Sequence, residues 1–147
     1  MADTTSEAAL KALFEALRDN IPPGAELRRN EALPTDVPAG GLIILRDGVP
    51  GVPEVTMSPL AYEFDHQADV DVLAGQTDAA QRDAVFDGLK RAVAAAVAAD
   101  RTLGDRTIDL RAQAPAPLLM EAVTGAPPIK AATISVVMTY VTADPLT

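Results

Sequence analysis

The run from Tyr62 to Val72, YEFDHQADVDV, alternates without a break. Tyr62, Phe64, His66, Ala68, Val70 and Val72 fall on one side, and Glu63, Asp65, Gln67, Asp69 and Asp71 on the other. Successive strand residues point to opposite faces, so a period of two over this length specifies an extended strand with one buried and one polar face. All-parallel sheets are covered on both faces, and their strands read as unbroken apolar runs. The alternation therefore calls for an antiparallel or mixed sheet, with flanking strands and an apolar layer over one face.

The partners are legible. Ala132 to Thr142 sets Ile134, Val136, Met138 and Tyr140 together, with Thr133, Ser135 and Thr139 opposite. Val137 and Val141 interrupt that polar side, so this strand is expected to meet protein on both faces. Leu42 to Arg46 is a short apolar strand, and Asp47-Gly48 after it reads as a turn. Thr107 to Gln113 alternates with Ile108, Leu110 and Ala112 on one side. Ala25 to Asn30 adds a short strand with Leu27 inward.

Two helices supply the apolar layer. Thr4 and Glu7 have capping-box spacing, and Leu10, Leu13, Phe14, Leu17 and Ile21 then form one stripe ended by Pro22-Pro23-Gly24. Gly75 closes the alternating strand, and Asp78 with Gln81 repeats the capping spacing before a helix over 79–99. There Val85, Leu89, Val93 and Val97 step by four, flanked by Phe86 and Ala96. The order of helix, strands, helix, strands predicts an α+β fold, a sheet packed against two main helices, in a single domain spanning residues 1–147.

Three connections are long. Ala32 to Gly41 is rich in Pro and Gly. Val49 to Pro59 contains Pro50, Pro53 and Pro59, so any strand within it sits at a sheet edge. It reads either as a surface loop or as an arm reaching a neighbouring subunit. Ala114 to Pro128 has room for one helical turn around Leu118 to Val123.

Charge and composition narrow the function. The net charge is −9, which disfavours specific nucleic-acid binding. No cysteine is present, so disulfides and thiolate metal sites are excluded. Met1 to Asn20 lacks a basic region followed by an apolar run, so no signal peptide is expected. The most apolar stretch, Ala92 to Ala99, falls far short of the ~20 residues a membrane span needs. A soluble chain, cytosolic at synthesis, is expected, with no membrane partner.

Catalytic chemistry finds little support. The single histidine, His66, lies on the apolar face of the alternating strand and is expected to be a buried, hydrogen-bonded structural residue. No glycine pattern matches a phosphate-binding loop, and Ser6, Ser58 and Ser135 sit in no nucleophile elbow. No enzyme, cofactor or metal site is expected, although one pair within the acidic row Glu63, Asp65, Asp69, Asp71 has the spacing to share a hard cation. Arg28-Arg29 and Lys90-Arg91 read as surface pairs or interface contacts.

The run YEFDHQADVDVLAG, the helix segment DAAQRDAVFDGLKRAVAAAVAADRTLGD and the C-terminal IKAATISVVMTYVTADPLT together resemble small tail proteins of siphophages and prophages. They are similar to the tail terminator group (minor tail protein U-like) over Tyr62 to Thr147. The resemblance implies a homohexameric ring at the head-proximal end of a tail tube, in a virion assembled in the host cytoplasm. Its implied partners are its own copies, the tube protein and a head connector or stopper, with DNA passing through unbound. A head-closure ring or tube subunit is the neighbouring alternative, and a small acyl-group or coenzyme-A enzyme the alternative from another class. Residues 54–87 hold eight acids and one base. Within them, Glu63, Asp65, Asp69 and Asp71 are the candidate lumen-facing acidic face, against the alternative of an outer solvated face.

Overall fold

The computed structural model describes residues 2–34, 36–118 and 128–147. In chain order the elements are α1 (Thr5–Asn20), β1 (Glu26–Arg29), β2 (Leu42–Val49), β3 (Glu54–Met57), β4 (Leu60–Ala74), α2 (Ala79–Ala99), β5 (Asp109–Ala112), β6 (Ala116–Pro117) and β7 (Lys130–Thr142). The alternating strand is β4, extended beyond its predicted ends at both sides. It pairs antiparallel with β7 from Tyr62 opposite Thr142 to Ala74 opposite Lys130. The sheet order is β1-β2-β4-β7-β5, with β3 on the start of β4 and β6 on the start of β7. β1 and β2 are parallel and every other pair is antiparallel, so the sheet is mixed.

Both helices start as their capping residues predict. The Glu7 amide donates to Thr4 Oγ1 at 3.2 Å, and the Gln81 amide donates to Asp78 Oδ2 at 2.9 Å. The helices lie side by side on one face of the sheet. Leu10, Leu13 and Leu17 from α1 and Phe86, Leu89, Val93 and Val97 from α2 meet Phe64, Val70, Val72, Ile134, Val136 and Met138 in the main core. Ala9 and Ala96 are fully buried there, and their small size lets the helices approach each other closely. The observed α+β architecture is the predicted one.

A second, smaller core lies on the other face. Leu42, Ile44 and Leu73 are buried there, against Val37, Ile129 and Ala131. Segment 32–41 is therefore less free than its Pro and Gly content suggests. Val37 packs on the sheet, the Gln76 side chain donates to the Ala39 carbonyl, and the Gly41 amide donates to the Pro38 carbonyl.

Two local expectations are corrected and one is sharpened. Asp47-Gly48 is no turn, because β2 runs on through it to Val49. The β2–β4 register shifts between Arg46 and Val49, a β-bulge, and Gly48 adopts φ +69°. Turns and bulges share the demand for a left-handed glycine, so the dipeptide alone does not separate them. Segment 49–59 contains β3, which sits at a sheet edge as its prolines require and forms a hairpin with β4. In the Thr107–Gln113 strand Leu110 is buried, but Ile108 is 60 % exposed and Ala112 is exposed, because this edge reaches past the helix layer. The helical turn expected at Leu118 to Val123 lies, apart from Leu118, outside the described residues.

Gly48 tests the bulge. A Cβ there would stand 1.9 Å from the Gln67 carbonyl oxygen, a backbone atom that cannot move aside alone. Gly48→Ala is expected to lower unfolding free energy by about 2 kcal/mol or more, read from the urea midpoint at unchanged slope.

Candidate functional site

The most connected polar groups surround the bulge. Arg29 on β1 points toward α1, where its guanidinium donates two parallel bonds to Glu7 at 2.8 Å each. It also donates to Asp47 Oδ1 from Nε at 3.0 Å and Nη2 at 2.8 Å. The Asp47 amide donates to Asn30 Oδ1 at 3.1 Å, with Asn30 in the left-handed conformation at φ 56°. The Asp47 carbonyl accepts from His66 Nε2–H at 2.6 Å. A carbonyl cannot donate, so the proton sits on Nε2, which leaves Nδ1 to accept from the Tyr140 hydroxyl at 2.8 Å. The chain Glu7–Arg29–Asp47–His66–Tyr140 thus ties α1, β1, β2, β4 and β7 together.

His66 is 2 % exposed and both ring nitrogens are bonded, the structural role expected of it. Arg29, read from sequence as surface or interface, is instead an internal tie. Glu7 does not return to the Thr4 amide to complete a capping box, because Arg29 takes its carboxylate. The hydrogen bond from Arg29 holds the Glu7 carboxyl below the usual carboxylate range, against a smaller opposing effect of burial. Burial pushes the Tyr140 phenol up, opposed by the Ser6 hydroxyl.

The acidic row occupies the face away from the helices, but it is graded. Asp71 is 4 % exposed, forms an ion pair with Arg46 at 2.7 Å and accepts from Thr133 at 2.6 Å. It does not project into solvent, which corrects its place in the candidate lumen face. Ala32, Leu33 and Leu118 gather near Asp71, a covering that alternation cannot reveal. Asp69 is half-buried and accepts from Ser135 at 3.2 Å. Asp65 is exposed and accepts from Thr139 at 2.6 Å. Glu63, partly exposed, faces Val141 on one side and Glu54 on the other. Hydroxyls of β7 thus stand opposite the β4 aspartates and satisfy them without cancelling their charge. Among the described residues, no three His, Asp or Glu side chains are grouped to hold a metal ion, and no helix is long and apolar enough to cross a membrane.

Beyond the uncovered end of this row stands the β3–β4 hairpin. All four residues of β3 are exposed. Val49, Val52, Val55, Met57 and Leu60 are exposed to between 48 % and 95 %, and form the densest group of exposed large apolar side chains among the described residues. Sequence reasoning identified this Pro-rich stretch but not its hairpin, because only one partner strand orders it. No protein-family model and no curated protein matches the chain.

Two consequences are measurable. Because the folded Glu7 carboxyl ionises at lower pH than the unfolded one, its contribution is complete above the ordinary glutamate range and fades as pH falls through the folded value. The stability gap between wild type and Glu7→Gln is expected to be largest at about pH 7 and to close toward about pH 3, by urea titration. Arg46→Ala strands the Asp71 carboxylate with one hydroxyl, and is expected to destabilise by about 2–4 kcal/mol at neutral pH.

Proposed function

We propose that this chain is a structural virion protein, a tail terminator. Copies close into a ring at the head-proximal end of a phage-like tail tube, stop tube growth and join the tail to the head connector. The observation that carries this reading is the projecting hairpin at residues 49–60, which holds large apolar side chains away from the chain's own core. Exposed apolar patches of this kind serve protein contacts. A ring closed by heterologous contacts would cover such an arm on every copy. The resemblance of residues 62–147 to terminator proteins gives the assembly its identity.

The acidic face has a place in this reading. With helices on one side of the sheet and the second core over one end of the other, the remaining part of that face, around Glu63 and Asp65, is left to line a lumen. Glu63, Asp65 and Asp69 would repel phosphates and keep DNA from adhering, whereas Asp71 contributes structure only.

The test is tube length. Tube protein polymerised with substoichiometric amounts of this chain is expected to give shorter tubes carrying a ring at one end in negative-stain micrographs. Equal length distributions with and without the chain reject the reading. In assembled particles, Glu63→Lys with Asp65→Lys is expected to slow DNA release at low salt and to recover as salt rises, because added cations bind phosphate by releasing counterions.

A further inference from the structure

The hairpin end of the sheet carries two unpaired edges on opposite sides. Among the described residues, β3 pairs only with β4, and β5 pairs only with β7. The two edges adjoin along the sheet: β3 stands opposite residues 60–63 of β4, and β5, through β7, is level with residues 65–68. Glu54 is opposite Glu63, Glu63 is opposite Val141, and Asp109 is opposite Thr139 on that same strand. β3 runs antiparallel to β4, and β5 runs parallel to β4 because both are antiparallel to β7. The two edge strands are therefore antiparallel to each other. A second copy placed beside the first, with its sheet continuing in the same sense and slid about four residues along the strands, sets its β3 against this β5 in antiparallel orientation, Glu54 against Arg111 and Met57 against Ile108.

The side chains of the two edges are complementary under that placement. The pleat puts Val55 and Met57 on the helix side of β3 and Glu54 on the other side. On β5 the helix side holds Leu110, with exposed Ile108 next to it. Ile108, Ala8, Tyr140 and Val141 border a notch of about 410 Å³ between this edge and the start of α1. Val55 and Met57, 49 % and 76 % exposed, would cover Ile108 and enter that notch. Charge agrees on the opposite face. Glu54 and Glu63 are direct cross-strand neighbours with no cation paired to either among the described residues, a repulsive arrangement. At the other edge Arg101 and Arg111 share the single carboxylate of Asp109, at 3.8 and 3.4 Å. One edge lacks a cation and the other has one to spare.

We propose that β3 of one copy adds to the free edge of β5 of the next, so that the sheet continues from subunit to subunit. This inference rests on the ring reading above and names its interface. Edge-strand addition supplies backbone hydrogen bonds, and the alternating side chains supply specificity.

The experiment uses the absence of cysteine in the chain. In the double variant Glu54→Cys, Arg111→Cys the two positions of one chain lie three strand spacings apart and about four residues apart along the strands, roughly 20 Å, beyond the ~7 Å reach of a disulfide. Mild oxidation is expected to link neighbouring copies into a ladder of multimers. By light scattering, Glu54→Arg is expected to weaken self-association about tenfold, and Arg111→Glu in the same chain to restore it. If the chain associates but the cysteines stay unlinked and the charge swap changes nothing, this interface is wrong and the ring reading stands. If the chain remains monomeric both alone and with tube protein, both fall.

Discussion

The carbonyl and carboxylate of Asp47 are the point on which five elements converge. Two sheet neighbours and a helix reach it because β2 bulges there, turning the backbone so that one residue addresses β1 through its amide and side chain and β4 through its carbonyl. His66 passes the connection to Tyr140 on β7, and Arg29 passes it to Glu7 on α1. The polar groups of this path are satisfied, so a histidine and a tyrosine hydroxyl can sit within an otherwise apolar core. Half-satisfied, the same groups would oppose folding. Through Glu7 the network also ties the first turn of α1 to the sheet, in addition to the packing of its apolar stripe.

What could be read from the chain, and what could not, divides by sequence distance. β4, α1 and α2 announce themselves because periodicity and capping are local, as in the period of two from Tyr62 to Val72 or the four-residue steps from Val85 to Val97. The Asp47-Gly48 bulge was hidden because its requirement for a left-handed glycine is the same as a turn's, and only the Gln67 carbonyl across the sheet distinguishes them. Arg29 looked like surface because its partners lie 22 residues before it and 18 after it. Asp71 looked like its neighbours in the acidic row, since nothing local shows that Arg46 and Thr133 close around it. In each case the missing information was a long-range partner.

The graded acidic face alters how the candidate site works. A row of four equal carboxylates would repel itself along its length. Here the innermost is paired with an arginine, the middle two accept hydrogen bonds from hydroxyls, and only the outer end meets another carboxylate directly. Unrelieved charge is thus concentrated beside the hairpin, where the exposed apolar side chains also gather. Charge and hydrophobicity unspent by the fold lie at one end of the molecule.

That asymmetry has a mechanical consequence. At the end holding Leu42, Ile44 and Leu73, the sheet is clamped between the helices on one face and Val37, Ile129 and Ala131 on the other. At the end holding Leu60 to Glu63, β4 lies between the thin β3 strand and the end of β7, and among the described residues no second core covers its polar face. The sheet behaves as a cantilever, with a stiff root and a compliant tip. Fewer buried apolar contacts at the tip favour bending there over the root, so the hairpin has room to adjust its angle by small twists shared over many residues. A part shaped this way can meet neighbours at slightly different orientations while its core remains undeformed.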